Sequence, residues 1–170
     1  YDDKGKGRME MAEIEFHNNE WKEVSRNPIP APGDDSSYCE KNWMPINDMP
    51  YHFVKWSNPT QVVHFDIENK VTTDVTLKTM EERFPLDKDL RGGSQVIRIN
   101  ENRRMCLAHE TNLLKDPFNR KDGNYAHRVV IYDNDWNITN VSREFHFLGT
   151  YYDHVKGQDY NIEFCTGVAA

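Results

Sequence analysis

Four short segments hold the side chains best suited to chemistry. In Glu40-Lys41-Asn42-Trp43 an acid, a cation, an amide and an indole stand together just ahead of a strand-like run. Glu40 and Asn42 suit the hydroxyls of a polyol, Trp43 suits the face of a sugar ring, and Lys41 suits an anion. A solvated turn leading into a buried Trp43 explains the same residues without a ligand. Arg91 precedes the paired glycines Gly92 and Gly93. Glycines let backbone approach a ligand closely, and a guanidinium offers a planar fork of donors to an oxyanion. A tight turn into the next strand is the plainer account. The run Cys106-Leu107-Ala108 ends on His109 and Glu110, at a strand end where β scaffolds commonly present functional groups. A hydrogen-bonded structural histidine fits there too. In Tyr125-Ala126-His127-Arg128, strand alternation puts Tyr125 and His127 on one face and Arg128 on the other.

Other chemistries lack their spacing. The chain has seven histidines but no HExxH or equivalent, so neither a metal nor another cofactor is expected. It has no GxSxG for a serine nucleophile. Cys39, Cys106 and Cys165 are odd in number, far apart and without CxxC spacing, which predicts free thiols in a cytosolic protein. With 28 acidic and 21 basic residues the net charge is -7, a field that repels nucleic acid and anionic membranes. No apolar run approaches the ~20 residues of a membrane helix, and YDDKGKGRME has no signal-peptide apolar core. The expectation is a cytoplasmic protein with no nucleic-acid or membrane partner. Tyr1 in place of an initiator methionine, and the strand-like IEFCTG near Ala170, lead to the expectation that both ends are cut.

The elements that must position these residues read as strands. RMEMAEIEF, YHFVKW, TQVVHFDI, KVTTDVTLK, SQVIRI, RMCLAHE, YAHRVVIYD and REFHFLG recur at short intervals, many rich in β-branched and aromatic residues. Asn18-Asn19, Asn100-Glu101-Asn102 and Asp133-Asn134-Asp135 sit between such runs and predict hairpin turns. The best helical candidate is Leu77 to Phe84, ended by Pro85. Longer loops are expected over residues 27–35 and 112–123. Residues 7–24, 93–110 and 125–141 each read as strand, turn, strand, a weak period that suits propeller blades. At 170 residues and mean hydropathy -0.86, with 12% aromatics, the chain predicts one folded all-β domain over 1–170 with a polar surface.

Taken in order, EKNWMP, YHFVKWSNPTQVV, RGGSQVI, CLAHE, YAHRVVIYDNDW and IEFCTG resemble the five-bladed β-propellers related to mannoside phosphorylases and hydrolases, in particular propeller modules attached to or encoded near glycosyltransferases. The resemblance runs from Gly7 to Ala170. It implies an all-β fold of antiparallel hairpins forming part of a five-bladed β-propeller, about three blades of it. It implies a carbohydrate-active role in which phosphate is held at positions matching Lys41, Asn42, Arg91 and His109, with Glu40, Trp43, Glu110 and His127 completing a sugar or phosphate cleft. Inverting phosphorolysis needs cationic donors that hold phosphate behind the anomeric carbon while an acid protonates the departing oxygen. Lys41 stands where the phosphorylases generally have arginine, and the blade expected to bear the catalytic aspartate would precede Gly7. The resemblance therefore implies a chain that binds more readily than it turns over. Its implied partners are a sugar or sugar phosphate, inorganic phosphate, and the rest of a propeller or a glycosyltransferase domain. Two other readings stand beside it: a non-catalytic glycan-binding or assembly module, and a scaffold, which predicts an exposed apolar patch.

Overall fold

The structure, a computed structural model, describes residues 4–33, 37, 39–115, 121–147, 151–153, 158–160 and 163–169. It is all-β. Among the described residues no α-helix occurs and all strand pairing between named strands is antiparallel. The chain makes a hairpin of β1 (Met9–His17) and β2 (Glu20–Ile29). A four-stranded meander follows: β3 (Met44–Pro45), β4 (His52–Trp56), β5 (Gln61–Asp66) and β6 (Val71–Leu77). The second large sheet runs β11-β10-β9-β7, with β8 also paired to β9. Its strands are β7 (Arg91–Gly92), β8 (Ile97–Asn100), β9 (Arg103–Lys115), β10 (Lys121–Tyr132) and β11 (Ile138–Val141). A short hairpin of β12 (Tyr151–Asp153) and β13 (Gln158–Tyr160) comes last.

The two large sheets meet beside β3 and β8. Ile46 and Val96 form a parallel bridge, in which the Val96 amide donates to the Pro45 carbonyl at 2.8 Å and the Asn47 amide donates to the Val96 carbonyl at 3.0 Å. Between the sheets lies the main core of Met44, Val54, Val62, Leu90, Val96, Cys106 and Tyr132. A second core of Ile29, Trp43, Phe53, Val63 and Phe65 lies on the other side of the first sheet. β5 is therefore covered on both faces, which explains why its adjacent Val62 and Val63 are both fully buried. A strand enclosed in this way reads as a continuous apolar run.

The hairpin turns expected from Asn and Asp are present. Asn18 and Asn19 take φ of 50° and 64°, the left-handed pair that a two-residue hairpin turn needs. The β1–β2 hairpin packs Met9 and Met11 onto the second core. Its tip leaves Ile14, Phe16 and Trp21 about 60% exposed or more, with the Phe16 and Trp21 rings 5.1 Å apart.

Three expectations need correction. The segment Leu77 to Phe84 is not an α-helix: Leu77 ends β6, and only Met80–Glu82 form a 3-10 turn. The stretch before Pro85 is too short for helix to propagate, and Asn58 clamps Phe84 by donating to its carbonyl at 3.0 Å and accepting from its amide at 2.9 Å. The loop expected over 112–123 is mostly ladder, since β9 and β10 stay in register out to Lys115 and Lys121. Likewise β2 extends through Asn27 and Pro28 to Ile29. In both places pairing with a long partner strand overrides a turn-like composition. Finally, the units 93–110 and 125–141 are joined through β9 and β10 into one sheet, so they are not two repeats. Among the described residues no helix is long and apolar enough to cross a membrane.

Candidate functional site

The second sheet positions the histidines. His109 on β9 stands opposite His127 on β10, and Arg91 on β7 stands opposite His109 on the other side. Three strands thus bring Arg91, His109 and His127 into one row. Alternation sends Ala108, Glu110, Ala126 and Arg128 to the reverse face. The turn carrying Lys41 and Asn42 is pressed against Gly92, on the face that Gly92 shares with Ala108. Asn42 has φ of 60°, and its carbonyl oxygen occupies the place beside Gly92 where a Cβ would come within 1.9 Å. A Cβ on Gly93 would stand 2.6 Å from the Leu107 carbonyl. The paired glycines are therefore accounted for by backbone approaching backbone. That differs from the expectation that they make room for a ligand.

His109 feels the charge of both Arg91 and Lys41, whereas Asn42 meets the sheet through its carbonyl at Gly92. Lys41 is exposed, Asn42 and Arg91 are half-buried, and His109 is 2% exposed. Burial, then the charge of His127, Arg91 and Lys41, holds the His109 imidazole down at about 4. His109 is thus a neutral group at pH 7, where the sequence had suggested a cationic donor. Its ring hydrogen-bonds the backbone of Gly92, and its Nδ1 has no hydrogen-bond partner among the described residues. The Tyr125 ring stacks on it at 5.1 Å with 14° between planes, and the Phe164 ring meets its edge at 4.9 Å.

His127 is fully buried. Its Nε2 accepts the Cys165 amide at 3.3 Å, which assigns the proton to Nδ1, 3.9 Å from a carboxylate oxygen of Glu163. Burial lowers its pKa, and Glu163 opposes that shift. Phe145 and Phe147 close the pocket around it.

The other sequence candidates are engaged in holding the fold. Trp43 is buried in the second core, and its indole N–H donates to Glu40 at 3.0 Å. Glu40, itself buried, also holds the Lys55 ammonium at 3.2 Å, and that ammonium lies over the Trp43 ring. Trp43 therefore presents no open face to a sugar, and the reading of a turn leading into a buried Trp43 describes it. Glu110 lies on the reverse face, where Arg128 donates to it at 2.9 Å. Burial would raise the Glu110 pKa, yet the Arg128 hydrogen bond and charge prevail and lower it. Glu110 thus belongs to a different side of the sheet from His109.

Sequence reasoning missed the segment 163–169, which was read as the start of another strand. It crosses the histidine row without joining a ladder. It also missed Asp48, whose carboxylate receives Arg98 at 2.7 Å and the buried Arg104 at 2.9 Å and is held at about 2, chiefly by its Arg104 hydrogen bond. Asp48 and Arg98, with Gln95 and Val168, line an open cleft of about 460 Å3. No local spacing links these residues, so no motif could have announced them. All three cysteines are free thiols, and burial pushes that of Cys106 up to about 12. Among the described residues no group of three or more His, Cys, Asp or Glu side chains is placed to hold a metal ion. No protein-family model, curated protein or solved structure matches the chain.

Proposed function

We propose that this chain is a carbohydrate-active β-propeller component that binds phosphate, or the phosphate of a sugar phosphate, at Lys41, Asn42, Arg91 and His109. The observation that carries the reading is the gathering of two cations from separate elements against a buried histidine in a protein of net charge -7. Positive charge concentrated against the overall field focuses anions. Arg91 supplies an anionic ligand with a fork of donors and Lys41 with a point charge, and the neutral His109 ring walls the site beside them. The parallel bridge that joins the four-stranded and five-stranded sheets, between Ile46 beside β3 and Val96 beside β8, supports a propeller arrangement, in which sheets surround a central axis. Binding is proposed here and turnover is not.

Calorimetric titration of inorganic phosphate and mannose 1-phosphate tests the reading. Millimolar or tighter binding that weakens with salt is expected, with Arg91→Ala losing more affinity than Lys41→Arg. Absence of binding at millimolar ligand overturns it. The assembly reading then leads, because the exposed Ile14, Phe16 and Trp21 at the hairpin tip form the kind of apolar patch that partners cover.

A further inference from the structure

The His109 imidazole is enclosed by two kinds of neighbour. Arg91 and Tyr125 belong to the strands that form its own sheet. Phe164 belongs to residues 163–169, which pair with no strand among the described residues. Among the described residues that segment is tied down through side chains, Gln95 and His127 from the sheet region and its own Glu163. The Gln95 amide grips Val168 at both ends, donating to its carbonyl at 2.5 Å and accepting from its amide at 3.1 Å. His127 accepts the Cys165 amide, and the Glu163 carboxylate accepts the Phe147 amide at 2.6 Å. Between these ties the Cys165 carbonyl lies over Gly93, 3.1 Å from where a Cβ would stand. Phe164 itself is 43% exposed, so its ring gains little from burial where it sits.

We propose that residues 163–168 form a displaceable strap that closes the anion site by seating Phe164 on His109, with Gln95 as its latch. This rests on the phosphate-site reading above. A strap held by a handful of side-chain hydrogen bonds, without ladder or apolar anchor, opens at low free energy compared with the sheet beneath it. When it lifts, the edge of His109 is uncovered between Arg91 and Tyr125, and the Nδ1 of His127, which faces Glu163 in the closed strap, gains access to water. A phosphate at Arg91 and His109 and a closed strap then exclude one another. By linkage, phosphate favours the open strap as much as the open strap favours phosphate.

Cys165 reports the motion, because its thiol is half-buried in the closed strap and donates to the Gly167 carbonyl at 3.3 Å. Iodoacetamide labelling at one fixed pH, located by peptide mass mapping, gives its exposure, with Cys39 outside the strap as the internal control. Gln95→Ala removes both latch bonds and is expected to raise Cys165 labelling about tenfold or more and Cys39 labelling not at all. Gln95→Glu keeps the acceptor and should fall between. Phe164→Ala, a change at a partly exposed ring, provides a second variant should Gln95→Ala fold poorly. Phosphate titration of the same proteins should show affinity rising with labelling, and saturating phosphate should raise labelling of the wild type. Unchanged Cys165 labelling in Gln95→Ala and Phe164→Ala overturns the strap. Faster labelling with identical phosphate affinity in all variants overturns its role as a gate. Faster labelling with no phosphate binding by any variant overturns the anion site, and gating with it, while leaving the movable strap established.

Discussion

Gly92→Ala is the sharpest test of how this sequence assembles its site. A Cβ at position 92 would stand 1.9 Å from the Asn42 carbonyl oxygen, 2.7 Å from Met44 Cγ and 3.1 Å from the Asn42 carbonyl carbon. Ordinary contact begins near 3.4 Å, so the oxygen must retreat by about 1.5 Å. It belongs to backbone, in a residue already at positive φ, and Met44 is 1% exposed in the main core. Neither can swing aside as a flexible side-chain end would. The sheet must therefore separate from the Lys41-Asn42 turn, at the expense of packing around Met44. Overpacking of a tight interior costs about 1–3 kcal/mol, and a backbone collision belongs at or above the top of that range. Urea denaturation of Gly92→Ala beside Gly167→Ala gives the comparison, because a Cβ at 167 meets nothing closer than 3.6 Å and should change stability by less than about 0.5 kcal/mol. Phosphate affinity of any folded Gly92→Ala should also fall, since Arg91 and Lys41 would be driven apart. A Gly92→Ala protein within about 0.5 kcal/mol of wild type would refute the close approach, and with it the account of the paired glycines.

Asp48→Asn leaves the buried Arg104 guanidinium, which also stacks on Trp136 at 5.0 Å, without its carboxylate, and a loss of about 3 kcal/mol is expected in urea unfolding at pH 7. Because the folded Asp48 pKa is depressed to about 2, its contribution is fully present above the ordinary carboxylate range and disappears as pH falls through about 2, so wild type and variant should converge in strong acid. His109 works over a different window. Its folded pKa of about 4 lies below the usual 6.5, so the unfolded chain binds the proton more readily and stability falls as pH drops from about 6.5 towards 4, by at most about 3 kcal/mol. His109→Phe should flatten that part of the unfolding profile, and an unchanged profile would show that the imidazole is not held neutral by burial.

The all-β class was legible because its signals are local. Asn18-Asn19 needs only its own backbone preference to make a turn, and alternation alone separates His127 from Arg128. The grouping of Lys41, Arg91 and His109 was expected only from a family resemblance, and nothing in the sequence between positions 41 and 109 declares it. What failed depended on distant partners. Asn112 and Asn124 look like loop residues until each finds the other across a long hairpin. Trp43 looks like a sugar platform until Phe53 and Glu40 take its ring and its N–H. Gly92 and Gly93 look like a ligand loop until the carbonyls of Asn42 and Leu107 fill the space above them. In each case residue type was read correctly, and the competing tertiary contact decided its use.

The histidine row shows why that competition has a functional side. Burying His109 and His127 opposite each other on one sheet leaves Nδ1 of each ring without a hydrogen bond among the described residues, a cost of the order of 1–3 kcal/mol for each unsatisfied buried polar atom. Glutamine or leucine at these positions would avoid it if packing were the only demand. The surrounding charges do not repair the deficit, since Arg91 and Lys41 disfavour a proton on His109 and make a second cation there unwelcome. They do suit a ligand that is itself anionic and accepts hydrogen bonds. Such a ligand would offset the repulsion between the cations. The sign of those neighbours is therefore the physical ground on which the proposed anion site rests.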